Sequence, residues 1–180
     1  MNEVEAVKNI ETLKKIEQAL RDNAGNIYAD ILMFGIHIGL RSSELLAITF
    51  DNISDNTLTI TNERTGKEKK VWLDSTLLDV VTKRRKANPK HKYLFQSDSN
   101  RSKALEKPIS REAVSKAFKA VGEQNNINLK LGMHSMRKTK YHQMLKNREC
   151  PEAIANTFGH YRHNLAKMYY RALEEASSKP

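Results

Sequence analysis

The strongest constraint on the fold is the spacing of apolar residues, which recurs every three or four positions along most of the chain. A first series consists of Val4, Val7, Ile10, Leu13, Ile16 and Leu20, and a second consists of Ile27, Ile31, Phe34 and Ile38. This spacing is typical of amphipathic helices that bury one face. It predicts a first helix that runs to about Asp22 and a second that ends at Gly39, since glycine is favoured just beyond a helix.

Local capping signals predict further helices. Ser42 or Ser43 is expected to cap a short helix that has Glu44 in its first turn, and Ser110 is expected to cap a later one. Pro151 suits the first position of another helix, because its missing N–H is not needed there. The remaining helices are predicted over residues 75–87, around 135–147 and from about 163 to 175.

One segment departs from the helical pattern. The β-branched run from Thr57 to Thr61 predicts a strand, a turn follows around Gly66, and "KVWL" predicts the returning strand. "YLF" at 93–95 suggests another short strand. The predicted fold is therefore mainly α with a small antiparallel β-hairpin, an α+β domain. Two strands alone are marginally stable, so the hairpin's Arg- and Lys-rich tip suggests that it reaches towards an anion.

Charge narrows the class of partner. The 180 residues contain 31 Lys and Arg against 21 Asp and Glu, a net charge of +10. Such an excess attracts polyanions, so nucleic acid is the first partner to consider and an acidic membrane is the second. No apolar run approaches the ~18 residues of a membrane span. The single cysteine, Cys150, suits a reducing cytoplasm.

Five side chains stand out as candidates for chemistry. Arg41 lies at a helix start, His134 and Arg137 are one helical turn apart, and His160 follows a helix end with Tyr169 nine positions later. Each feature alone is more common as a solvated or packed residue. Metal binding is not expected, because the histidines and the single cysteine match no familiar zinc spacing.

Together these segments form a known pattern. "GLRSSELLAI" at 39–48, "HSMRKT" around His134, and "FGH" followed by Tyr169 occur in this order. They resemble the three boxes of the tyrosine recombinase catalytic domain, the phage integrase family, with Phe158 in place of the usual leucine. The resemblance extends from about residue 10 to residue 173. It implies that the whole chain, 1–180, is one catalytic domain, without the family's usual N-terminal DNA-binding domain.

The resemblance implies a mechanism without a cofactor or a metal. Tyr169 would attack a DNA phosphodiester to give a 3′-phosphotyrosyl link and a free 5′-hydroxyl. Arg41 and Arg137 would bind the phosphate, because guanidinium groups hold their charge at any working pH. His160 would donate a further hydrogen bond to the phosphate, and His134 would assist proton transfer from the tyrosine.

Glu44 is interpreted as a brace for the arginines. Two other assignments within the resemblance remain open, the nucleophile and the group that protonates the leaving oxygen. Tyr170, adjacent to Tyr169, is the alternative nucleophile. The family's hairpin lysine, which protonates the leaving 5′-oxygen, is replaced by Arg64, and arginine rarely gives up a proton. Lys67, three residues further on, is the substitute that we consider. In the alternative interpretation, Lys67, Lys69 and Lys70 contact only the DNA backbone.

The expected function is site-specific DNA recombination or integration in a mobile element. The resemblance implies double-stranded DNA as the partner. On DNA the family assembles as a tetramer, and we expect the same here, although the free chain can be monomeric. Without an N-terminal clamp, DNA binding should be weak and salt-dependent. The alternative is a non-catalytic or weakly catalytic DNA-binding regulator on the same fold, and a topoisomerase-type enzyme is a third hypothesis.

Overall fold

The computed structural model describes residues 4–61, 66, 68–97 and 106–158. The helices of this part are α1 (Ile10–Asn23), α2 (Asn26–Ile38), α3 (Ser42–Leu46), α4 (Ser75–Ala87), α5 (Arg111–Gln124), α6 (Met133–Lys146) and α7 (Pro151–Phe158), and a 3-10 turn covers Phe50–Asn52. The strands are β1 (Ile53–Ser54), β2 (Thr57–Thr61) and β3 (Glu68–Trp72). The predicted fold class, mainly α with a small antiparallel sheet, is confirmed.

The first helix begins later than the apolar spacing predicts. The Asn9 side chain accepts hydrogen bonds from the backbone N–H groups of Glu11 and Thr12, and so caps α1 at Ile10. Val7 is buried without being helical, because its N–H donates to the hydroxyl of Thr139 over 2.8 Å. The helix that the apolar spacing predicts from Val4 onwards is therefore wrong in its first residues. A tertiary contact, and not a position on a helical face, buries Val7.

The sheet has one more strand than predicted. Asp55 and Asn56 both have positive φ, which matches the two-residue turn that joins β1 to β2. Strands β2 and β3 pair with Leu58 opposite Val71 and Ile60 opposite Lys69. The predicted strand at 93–95 is wrong, since this segment forms only an isolated bridge between Thr49 and Tyr93.

Helix α2 is the centre of the core. Ala29, Ile31 and Phe34 are completely buried, and Gly35 lies against Met136 of α6. A Cβ atom on Gly35 would overlap the sulfur of Met136, so the absence of a side chain lets α2 and α6 approach closely. This close packing matters for the site, because Arg137 is the next residue on α6.

A second, smaller cluster holds α7 against α6. Ile154, Ala155 and Phe158 of α7 pack with Met144, and the ring of Tyr141 meets that of Phe158 edge-on at 5.7 Å. Pro151 occupies the first position of α7, as predicted. The predicted tail helix lies outside the described residues. Within the described part of the chain, no helix combines the length and apolar character that a membrane span requires.

Candidate functional site

Arg41 is held at the junction between α2 and α3. Gly39 ends α2 with φ 71°, in the left-handed region that favours glycine. Arg41 then occupies the cap position of α3, and its backbone N–H donates to Glu44 Oε2 over 2.9 Å. The predicted serine cap is wrong, because Ser42 is already the first residue of the helix and it is Glu44 that accepts the bond.

Glu44 also orients the guanidinium group of Arg41. Its Oε1 accepts a hydrogen bond from Arg41 Nη1 over 3.1 Å. The Arg41 side chain is nevertheless 43% exposed, so the group remains accessible to a ligand. Glu44 therefore touches the arginine in the manner expected of a brace.

Arg137 connects the ends of two helices. Its Nη1 donates to the carbonyl of Gly39 and its Nη2 to the carbonyl of Phe158, each over 2.7 Å. The guanidinium carbon lies 4.7 Å from the centre of the Phe158 ring. Burial, and then the nearby charge of Arg41, lower the pKa of Arg137 to about 10, although Glu44 acts in the opposite direction.

Lys69 of β3 is the basic residue that the sequence analysis did not place in the site. Its ammonium group donates to the carbonyl of Thr157 over 2.7 Å. Burial lowers the pKa of Lys69, and the charges of Arg137 and Arg41 lower it further against the opposing effect of Glu44. Along the strand, half-buried and exposed residues alternate, and Lys69 is half-buried on the same face as Val71. That period-two pattern is the signal that could have identified it.

The three cations meet around a small cavity. A space of about 60 Å³ is lined by the charged residues Arg41, Glu44, Lys69 and Arg137, together with Leu40, Ile60, Thr157 and Phe158. Three positive groups and one carboxylate leave an excess of positive charge in partly buried surroundings. Such preorganised donors favour an anion, and above all a charge that develops during a reaction.

A wider groove lies beside this cavity. It has a volume of about 520 Å³ and is lined by Arg41, Ser42, Ser43, Leu46, Arg111, Glu112, His134 and Arg137. His134 and Arg137 therefore share one surface, as their spacing of one helical turn predicts. Arg41 and Arg137 line both spaces, so the cavity and the groove are neighbours that share the two arginines.

The other candidates cannot be placed in this way. His160, Tyr169 and the alternative nucleophile Tyr170 lie outside the described residues, as do Arg64 and Lys67. Their roles stay predictions. Among residues 4–158, apart from the undescribed 62–65, 67 and 98–105, no three His, Cys, Asp or Glu side chains are grouped so that they could hold a metal ion.

The sequence matches the model of the phage integrase family over residues 5–176. The chain belongs to the phage integrase family. The resemblance recognised from the three boxes is thus confirmed. In this integrase-family chain, the described residues include the whole of the first two boxes and only Phe158 of the third.

Solved structures share the fold at low sequence identity. A lambda integrase dimer bound to a COC' core site matches with a TM-score of 0.72 and 14% identity, covering 94% of this chain and 49% of that one. XerA recombinase matches with a TM-score of 0.72 and 13% identity, covering 100% of this chain and 66% of the XerA chain. The lambda integrase catalytic core matches with a TM-score of 0.69 and 14% identity, covering 88% of this chain and 96% of the catalytic core.

The chain thus spans about half of the lambda integrase chain and 66% of the XerA chain. A comparison with curated protein sequences found no significant match.

Proposed function

We propose that this chain is the catalytic domain of a site-specific DNA recombinase that cleaves and rejoins strands through a 3′-phosphotyrosyl intermediate. The observation that carries the proposal is the meeting of Arg41, Arg137 and Lys69 around one cavity at the end of α7. The third box begins with Phe158, which lines this cavity together with the three cations. The family membership and the DNA-bound lambda integrase relative support DNA as the substrate.

Phosphate binding is the role of the two arginines. The planar fork of a guanidinium group matches two phosphate oxygens, and its charge does not depend on a proton that could be lost near neutral pH. Each preorganised donor to a developing oxyanion is worth ~10²–10³ in rate in comparable sites. Arg137 now donates to two main-chain carbonyls, so phosphate binding requires its remaining N–H groups or an exchange of partners.

Strand cleavage transfers a phosphoryl group from the 5′-oxygen of DNA to the tyrosine oxygen. The Tyr169 oxygen bonds to phosphorus as the bond from phosphorus to the 5′-oxygen breaks, so one phosphodiester is replaced by another. The phenolic proton leaves with the assistance of His134, and His160 donates a hydrogen bond to the phosphate. Reversal with a second DNA strand completes recombination without a cofactor, and we expect a tetramer on DNA for this exchange.

Lys69 is our candidate for the group that protonates the leaving 5′-oxygen. Its ammonium group lies with Arg41 and Arg137 at the cavity, and a lowered pKa makes a lysine a better proton donor. To reach the 5′-oxygen, Lys69 would exchange the carbonyl of Thr157 for the DNA. Arg64, at the family's usual lysine position, would then contact phosphate without transferring a proton.

Covalent trapping tests the proposed function. A nicked duplex that loses a short 5′-hydroxyl fragment on cleavage should leave the protein attached to the DNA 3′-end, visible on a denaturing gel. The Tyr169→Phe variant should form no adduct, whereas Tyr170→Phe should retain it. An adduct in Tyr169→Phe would contradict the nucleophile assignment. Binding with no adduct on any attachment-site duplex would favour the DNA-binding regulator.

A sulfur-substituted substrate tests Lys69 separately. A thiol has a pKa of about 8.5, so a bridging 5′-sulfur leaves without a proton. We expect Lys69→Met to cleave the ordinary duplex ~10²-fold slower than wild type and to cleave the 5′-phosphorothiolate duplex at nearly the wild-type rate. Lys67→Met and Arg64→Met are the comparison variants. Sulfur rescue confined to Lys67→Met would move the role to that residue.

A further inference from the structure

The last turns of α4 and the segment after them carry a concentration of cations that the cleavage mechanism does not use. Between Asp79 and Asp98 the sequence contains six lysines and arginines and no acidic residue. Arg84 is buried and binds Asp30. The other five are exposed, and we call them the α4 basic patch: Lys83, Arg85, Lys86, Lys90 and Lys92. A surface with this charge is expected to attract a polyanion.

Helix stability explains only part of the patch. Cations in the last turn of a helix are stabilised by its partly negative carbonyl end, which accounts for Arg85 and Lys86. Lys90 lies beyond the helix, so this effect does not account for it. Lys83 forms an exposed ion pair of 3.8 Å with Asp79, and such pairs contribute little to stability. Among the described residues, the side chains of Lys86 and Lys90 have no hydrogen-bond or ion-pair partner.

The turn that follows α4 is held against the helix end. Arg85 Nη1 donates to the carbonyl of Pro89 over 3.1 Å and to that of His91 over 3.2 Å. The guanidinium carbon of Arg85 lies 3.8 Å from the centre of the Phe50 ring. Lys90 stands between the two bound carbonyls, so its backbone is fixed beside the end of α4. The patch is therefore ordered before any ligand binds, which lowers the entropic cost of binding.

The patch lies away from the cleavage site. Arg84, next to Arg85 on α4, binds Asp30 in the first half of α2. The cavity is at the other end of α2, where the carbonyl of Gly39 accepts a bond from Arg137. Asp30 and Gly39 are separated by about 13 Å along the helix axis. No member of the patch lines the cavity or the groove, so the patch is a separate surface.

The composition of the patch favours nucleic acid over a protein partner. Protein interfaces are enriched in aromatic residues and depleted in lysine. The exposed residues of 82–92 besides the cations are Thr82, Ala87 and Pro89, so the patch offers no large apolar side chain as an anchor. Phe50 is itself buried under Arg85. A phosphate backbone needs only well-placed cations, because its binding is driven by the release of condensed counterions.

We propose that the α4 basic patch binds the phosphate backbone of a second DNA duplex, distinct from the duplex at Arg41 and Arg137. The proposal goes beyond the proposed function and rests on it only in taking duplex DNA as the polyanion. Ammonium groups contact phosphates without reading bases, so this binding is independent of sequence. A duplex held on the patch raises the local concentration of DNA around the cleavage site.

Neutral substitutions test the patch. The test variant replaces three exposed lysines whose side chains do not hold the turn, Lys83→Gln/Lys86→Gln/Lys90→Gln. The control variant removes the same charge from exposed lysines of α1, α5 and α6, Lys14→Gln/Lys119→Gln/Lys146→Gln. Arg85 is kept in both variants, because it binds the carbonyls of the turn. Thermal melting checks that both variants are folded.

Native mass spectrometry with an excess of a short duplex of arbitrary sequence counts the duplexes bound to each chain. Wild type and the control variant should bind one duplex more than the test variant. The binding step that is lost should fall with salt, with a slope of log Kobs against log salt of at least about 2.7 in magnitude, about 0.9 for each lysine. The test variant should still form the 3′-phosphotyrosyl adduct at the wild-type rate, since the cavity is unchanged.

Several outcomes would overturn the proposal. One is an equal number of duplexes on all three proteins, or equal losses in the two variants. Another is that polyglutamate or phosphatidylserine vesicles displace the extra duplex better than DNA does at equal charge, which would assign the patch to an acidic protein or to a membrane. Loss of the adduct in the test variant would show that the patch binds the cleaved duplex itself.

The same assays separate this proposal from the cleavage function. A wild-type chain that binds the extra duplex but forms no adduct would contradict the cleavage function alone. A wild-type chain that forms the adduct but binds no extra duplex would contradict the second duplex site alone.

Discussion

Arg137 and Lys69 are both partly withdrawn from water beside a third cation, Arg41, and both have a lowered pKa. Burial of like charges opposes folding, and Glu44 offsets only part of this effect. A bound phosphate would relieve the repulsion, because it supplies the missing negative charge. At the scale of single residues, the charge arrangement is therefore better suited to binding an anion than to stabilising the free protein.

The proton-donor role proposed for Lys69 predicts a pH dependence of cleavage. A proton donor must be protonated, so the rate should fall as pH rises through the lowered pKa of Lys69. Arg137, whose pKa burial lowers to about 10, would also lose its charge at high pH and so change the rate on both duplexes. The measurement is therefore the ratio of single-turnover rates on the oxygen and 5′-sulfur duplexes, since only the oxygen duplex needs the proton. A pH-independent ratio would contradict the assignment.

Removal of the Glu44 carboxylate should impair both the cap and the site. Glu44→Ala removes the acceptor for the Arg41 N–H, and loss of a helix cap costs about 1 kcal/mol of unfolding free energy. The guanidinium group also loses its brace, so we expect cleavage to slow by about tenfold, a loss of ~1.4 kcal/mol of transition-state stabilisation. Asp79→Ala, which removes an exposed ion-pair partner of Lys83, is the control. Equal effects of the two substitutions in melting and cleavage assays would contradict this role.

Helix junctions position the site at the next scale. Gly39 turns the chain from α2 into α3, and its carbonyl accepts a bond from Arg137 on α6. The carbonyls of Thr157 and Phe158, at the end of α7, accept bonds from Lys69 and Arg137. Terminal helix carbonyls lack partners within the helix, so cations are natural caps there. The same cations therefore join four elements, α2, α6, α7 and β3, and also line the cavity.

The packing of α2 on α6 can be tested at Gly35. Gly35→Ala would place a methyl group against Met136, and overpacking of a core typically costs about 1–3 kcal/mol. We expect that loss in chemical denaturation, together with slower cleavage, because Arg137 is adjacent to Met136. The Gly35→Ala/Met136→Ala double variant should lose less stability than the sum of the two single changes. Simple additivity would exclude a direct clash.

At the scale of the whole molecule, a buried ionic cluster joins distant parts of the chain. Asp30 of α2 accepts from Arg84 of α4 and from Arg21 of α1, each over 3.3 Å. Arg84 also donates to the carbonyl of Leu94 over 2.6 Å. None of these residues lines the cavity or the groove, and the cluster connects three helices with the segment that follows α4.

Loss of Asp30 should therefore destabilise the whole domain. The side chains of Arg84 and Asp30 are only 9% and 10% exposed, and removing one partner of such a pair costs ~3–5 kcal/mol. Asp30→Ala should show this loss in urea denaturation, whereas Asp79→Ala, in an exposed pair, should change stability by less than about 1 kcal/mol. A small effect of Asp30→Ala would show that water replaces the carboxylate.

Local sequence determined most of the helices. Ser110, Pro151 and Gly39 mark helix ends through hydrogen bonds or backbone angles within a few residues, and the predicted helix at 75–87 is confirmed. The family could also be recognised from the sequence, because the three boxes contain the expected residue types in a fixed order. Periodicity failed at α1, since it cannot distinguish a buried helical valine from a buried extended one.

The resemblance already grouped Arg41 with Arg137, but only the tertiary structure showed that Lys69 joins them and which carbonyls hold these side chains. Arg137 reaches a carbonyl 98 positions away, and Lys69 reaches one 88 positions away. Alternation along β3 shows which way Lys69 points, but not that the end of α7 and two arginines lie in front of it. A lowered pKa likewise depends on burial and on charges brought together by folding. Chemistry of this kind is set by distances in space, which a one-dimensional pattern of residues does not contain.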